Sequence, residues 1–76
     1  MDRSNVIKLA AHYLDVMYKS IGAAKGETCA VYVLDDDISR EIITVEIGSG
    51  KYKVCVECNS YAMIVKEVVD QTILKI

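Results

Sequence analysis

The stretch Thr28 to Cys58, TCAVYVLDDDISREIITVEIGSGKYKVCVEC, holds three short apolar runs separated by Asp35-Asp36-Asp37 and by Gly48-Ser49-Gly50. Cys29 to Leu34 reads as a strand that is apolar on both faces, and the three aspartates after it favour a turn. Arg40 to Ile47 alternates, with Ile43, Val45 and Ile47 on one face and Ile42, Thr44 and Glu46 on the other. From Lys51 to Cys58 the alternation resumes, with Tyr52, Val54, Val56 and Cys58 on one side. A two-residue loop at Ser49-Gly50 sets Ile47 against Tyr52, Val45 against Val54 and Ile43 against Val56. The same pairing places Glu46 opposite Lys53.

Helices flank these strands. Asp2 or Ser4 can cap a first helix that runs to between Ser20 and Ala24, with Gly22 or Gly26 ending it. Its polar stripe is Asn5, Lys8, His12, Asp15 and Lys19. Val6, Leu9, Ala10, Tyr13, Leu14, Val16, Met17 and Ile21 form an apolar arc wider than one sheet needs. Asn59 or Ser60 can cap a last helix, Tyr61 to Lys75, with Tyr61, Ile64, Val65, Val68, Val69, Thr72 and Ile73 toward the core and a Lys66/Asp70 pair in water. The expected architecture is α+β, in the order α-β-β-β-α: a three-stranded antiparallel meander with two helices packed on one face, forming a single domain over residues 1–76.

Composition narrows the function classes. At 76 residues and 53% hydrophobic, with no Trp or Phe, the chain is of a size that commonly gains stability from a partner. Nine basic and eleven acidic residues are spread along it, which gives no electrostatic footprint for nucleic acid. The element order is shared with double-stranded RNA-binding domains, but Asn59 to Ile64 supplies none of the lysines with which such domains meet phosphate. No apolar run reaches the length of a membrane span or forms a signal peptide. Three cysteines fit a reducing compartment, so the expected location is the cytoplasm.

Each chemical motif has a competing structural reading. Cys55 and Cys58 match C-x-x-C but end a strand, where residues three apart point to opposite faces. A zinc site would need Cys29, Cys55, Cys58 and His12, yet the meander puts Cys29 and Cys58 roughly 20 Å apart at ~3.3 Å per residue. Gly48-Ser49-Gly50-Lys51 lacks both the spacing and the following helix of a phosphate loop. Asp35-Asp36-Asp37 lacks the spaced ligands of a calcium loop and reads as a solvated turn. No acid, base and nucleophile come together, so the chain is read as non-enzymatic, with no metal or cofactor.

An interaction surface remains. The uncovered sheet face would show Tyr32, Leu34, Ile42, Thr44 and Cys55, while Met63 and Leu74 project from the last helix. These residues, with the wide arc of the first helix, point to a homo-oligomer. The leading reading is a small protein-interaction or regulatory module that acts as a homo-oligomer, with another protein as a further candidate partner. One alternative is a compact inhibitor of the phage or mobile-element type, blocking an enzyme or sequestering a nucleotide signal between subunits. For such a ligand Arg40, Lys51 and Lys53, with Tyr52 or Tyr32, supply the phosphate and stacking groups. The other alternative is a thiol-disulfide or metal protein using Cys55 and Cys58. A charge introduced at Ile42 distinguishes a sheet interface from a helical one.

Overall fold

The computed structural model describes residues 2–76. Helix α1 (Arg3–Lys25) leads into strands β1 (Cys29–Tyr32), β2 (Ile42–Ile47) and β3 (Gly50–Cys55), and helix α2 (Tyr61–Thr72) follows. One 3-10 turn, Asp35–Asp37, lies in the β1–β2 connection, and a second, Ile73–Lys75, prolongs α2. The sheet is antiparallel throughout, in the order β1-β2-β3. This is the expected α+β meander, with helices packed on its inner face. Ile7, Leu14 and Tyr18 of α1 and Ile64 and Val68 of α2 join Val31, Ile43, Val45 and Val54 in one core.

The hairpin pairs differently from the expectation. Its loop is Gly48-Ser49, which sets Ile47 against Gly50, Val45 against Tyr52 and Ile43 against Val54. Glu46 consequently faces Lys51, and Lys53 faces Thr44. The pairing has slid by two residues, so every side chain keeps its face. Gly48 takes φ 59°, and no positive φ falls on Ser49. Glycine therefore occupies the first loop position, where a II′ turn needs it; the Ser49-Gly50 loop would have put serine there.

Asp2 caps α1 by accepting the Asn5 N–H at 2.9 Å, and the helix ends at Gly26 in the left-handed conformation, beyond the expected Ser20–Ala24. Gly22 lies inside the helix for a packing reason. A Cβ there would stand 2.7 Å from both the Cys29 Sγ and the Glu27 carbonyl, so its absence lets the chain turn back closely onto β1. Ser60 caps α2 through the Met63 N–H at 3.2 Å.

Two polar clamps tie these elements together. Arg3 donates through Nε to the Glu41 carboxylate, through one terminal nitrogen to the Cys58 carbonyl at 2.8 Å and Asn59 Oδ1 at 3.0 Å, and through the other to the Val56 carbonyl at 3.2 Å. It thus fastens the start of α1 to the open end of the β2–β3 ladder, where the two strands enter and leave and Glu41 holds a positive φ of 59°. In the core, Tyr18 Oη and Thr72 Oγ1 lie 2.6 Å apart, and Thr72 Oγ1 is 2.8 Å from the Val68 carbonyl. Because that carbonyl only accepts, Thr72 donates to it and Tyr18 donates to Thr72.

The β1–β2 connection corrects a second expectation. Asp37 is 4% exposed rather than solvated, and its carboxylate takes Lys53 Nζ at 2.7 Å and Arg40 at 3.9 Å. The connection is thereby held against the outer sheet face by a lysine of β3.

Candidate functional site

The outer sheet face carries Tyr32, Ile42 and Cys55, with Tyr32 beside Thr44 and Ile42 beside Cys55 across the ladders. Its apolar content is smaller than expected. Thr44 is 1% exposed, so it is an internal residue and not a contact surface, and Ile42 and Tyr32 are half-buried. Leu34 alone among the large apolar residues of this region stands well into solvent. The Tyr32 phenol is held above its ordinary pKa chiefly by its hydrogen bond to the Glu46 carboxylate, with burial adding to the effect. Met63 on α2 and Leu74 in the 3-10 turn that follows it are exposed, on the helical side of the molecule. The seven expected interface residues are therefore divided between opposite sides.

The expected nucleotide-binding groups are divided as well. Lys51 and Lys53 project from the outer face, whereas Tyr52 alternates to the helix side, half-buried, with Lys75 Nζ 4.8 Å from its ring centroid. Arg40 and Lys53 converge on Asp37, so their charge is directed at an internal carboxylate instead of an open cradle.

Cys55 and Cys58 stand in different surroundings. Cys55 points out from the sheet, while Cys58 sits half-buried in the β3–α2 connection. Burial, then a hydrogen bond to Glu67, push the Cys58 thiol above its ordinary pKa, the opposite of an activated nucleophile. Glu67 also accepts the Glu57 and Cys58 backbone N–H groups at 3.1 Å, which fixes the entry into α2. Among the described residues no three His, Cys, Asp or Glu side chains are placed to hold a metal ion. Nor is any described helix long and apolar enough to cross a membrane.

The most apolar exposed surface is on the helical layer. The buried seam of α1 is Ile7, Ala10, Ala11, Leu14, Tyr18 and Gly22, so Leu9, Tyr13 and Val16 fall on the opposite side, 46%, 49% and 56% exposed. The edge-to-face contact of Tyr13 with Tyr61, ring centroids 6.3 Å apart, extends this patch onto α2. Tyr61 is expected in the core, and Leu9, Tyr13 and Val16 belong to the arc expected to exceed what one sheet covers; Ile7, Ala11 and Tyr18, which that arc omits, are the residues buried. Ala10, Ala11 and Gly22 lie on the same seam as the buried Ile7, Leu14 and Tyr18, and these small residues let α1 sit close to the sheet with Leu9, Tyr13 and Val16 outward.

Comparison with protein-family models, with curated proteins and with solved structures finds no match.

Proposed function

We propose that this chain is a non-enzymatic protein-interaction module that works as a homo-oligomer, with two copies meeting along the outward stripe of α1. The observation that carries this reading is the exposed Leu9/Tyr13/Val16 seam, spaced by four and three residues and free of charge. That spacing is the one by which paired helices mesh. Residues of α1 that carry charge, Arg3, Lys8, Asp15, Lys19 and Lys25, project elsewhere around the helix.

A second copy is the occupant that symmetry favours. The seam is centred near Tyr13, close to the midpoint of Arg3–Lys25, so a two-fold axis there lays the seam onto itself with Leu9 near Val16 of the other copy. At 1.5 Å per residue the helix is about 34 Å long. The molecule's longest extent is 36 Å, so antiparallel helices can pair along its whole length. An uncharged apolar stripe of this kind is otherwise a standing cost in water.

Light scattering behind size exclusion tests the reading. The wild type should run as a dimer; Val16→Glu should run as a monomer with an unchanged circular-dichroism spectrum, and Ile42→Glu should stay dimeric. A wild-type monomer across a wide concentration range would defeat the proposal, as would a dimer broken by Ile42→Glu and not by Val16→Glu.

A further inference from the structure

A different part of α1 meets the free edge of the sheet. Gly48 donates to the Thr28 carbonyl at 2.8 Å, so in the β1–β2 ladder the bonded residues of β1 are Thr28, Ala30 and Tyr32. Cys29, Val31 and Val33 accordingly turn their N–H and C=O groups away from β2, toward the edge. Asp15 confirms this direction, since its Oδ1 reaches round from α1 to take the Val31 N–H at 2.9 Å. It acts as a one-residue substitute for a neighbouring strand. Beside it a groove of about 260 Å³ opens between α1 and residues 31–33, with Lys8 and His12 on its helical wall.

We propose that this groove docks an extended acidic segment of another protein, which joins the sheet as a parallel fourth strand. With Asp15 on the Val31 N–H, the next free groups along the edge are the Val31 carbonyl and the Val33 N–H, on either side of Tyr32. One residue of a parallel strand bridges that pair with its own N–H and C=O. Tyr32 faces outward, so the incoming residue opposite it does too, and its two neighbours face α1. Those neighbours meet Lys8 and His12. Lys8 makes no ion pair among the described residues, whereas the negative charge of Asp15 is met by Lys19 Nζ at 2.8 Å. The unmatched charge in the groove is therefore positive, which selects an acidic segment. A second copy of this chain is a poor occupant, because its other free edge, β3, presents Lys51 and Lys53.

The groove lies to one side of the Leu9/Tyr13/Val16 seam, so the two surfaces can be tested separately. Backbone amide spectra would be recorded during titration with a capped valine-threonine hexapeptide carrying glutamate at the positions flanking its centre, and with its lysine counterpart. The glutamate peptide should shift the Val33 amide together with Lys8 and His12, and the lysine peptide should not. Lys8→Glu should weaken the glutamate peptide about tenfold and reverse the preference. Repeating the titration on Val16→Glu should give the same result, whatever the oligomeric state. An unmoved Val33 amide at millimolar peptide, equal responses to both peptides, or shifts confined to β3 would each overturn the proposal.

Discussion

Tyr18 and Thr72 show how much one buried hydroxyl can matter. Since Thr72 donates to Val68, Tyr18 has only Thr72 Oγ1 as its acceptor, inside a core where both residues are at most 2% exposed. The two isosteric deletions are therefore unequal. Tyr18→Phe removes the donor together with its bond and is expected to cost about 1 kcal/mol, whereas Thr72→Val strands a buried hydroxyl and is expected to cost about 2–3 kcal/mol. Urea denaturation of the two variants measures the difference, and equal losses would contradict the assigned proton direction. Arg3 is the second such residue. Arg3→Lys keeps the charge but not the fork that reaches Glu41, Val56, Cys58 and Asn59, and a loss of about 1–3 kcal/mol is expected in the same measurement. Thr72 was legible as a core position from its helical spacing. Arg3 was not, because nothing local marks a first-turn arginine whose acceptors lie more than 35 residues away.

At the scale of elements, the alternation in β2 and β3 settled which of their residues turn to the helices but left slides that preserve it undecided. The β2–β3 hairpin could move by two residues without turning any side chain over, and only the positive φ at Gly48 separates the alternatives. In α1 two apolar seams lie on opposite sides of the helix, and the choice between them rests on how closely small residues let the helix sit. Gly22→Ala tests that closeness. Alanine is the better helix former, yet its Cβ would collide with the Glu27 carbonyl, so a net loss of about 1–3 kcal/mol is expected. The edge of β1 offers a test in pH. Burial alone would raise the Asp15 carboxyl, but the hydrogen bonds from Lys19 and the Val31 N–H outweigh it and hold the group below its ordinary value. A carboxyl lowered on folding contributes stability that is present above its ordinary value of about 3.9 and is lost as the pH falls through the folded value. Val31 amide protection should therefore fall below about pH 4 before that of Val45, and Asp15→Asn should remove this dependence. Protection at Val31 that survives acidification with that of the core would contradict it.

Across the whole molecule, each sheet edge carries its own guard. Asp15 occupies a β1 donor, and Lys51 and Lys53 line β3, so strand-to-strand association between copies is discouraged on both sides. The outer sheet face, which the sequence offered as the interface, is partly closed by the connection that Asp37 and Lys53 hold down. That closure depends on an ion pair 16 residues apart, and alternation within strands carries no trace of it. The apolar surplus visible in the composition is left on the helical layer, at Leu9, Tyr13, Val16 and Tyr61. The most direct measurement is an isotope-filtered nuclear Overhauser experiment on a mixture of labelled and unlabelled protein. Contacts between protomers should link the Val16 methyls to Leu9 and the Tyr13 ring. Contacts that instead link Leu34 and Ile42, or no contacts between protomers at all, would contradict the account.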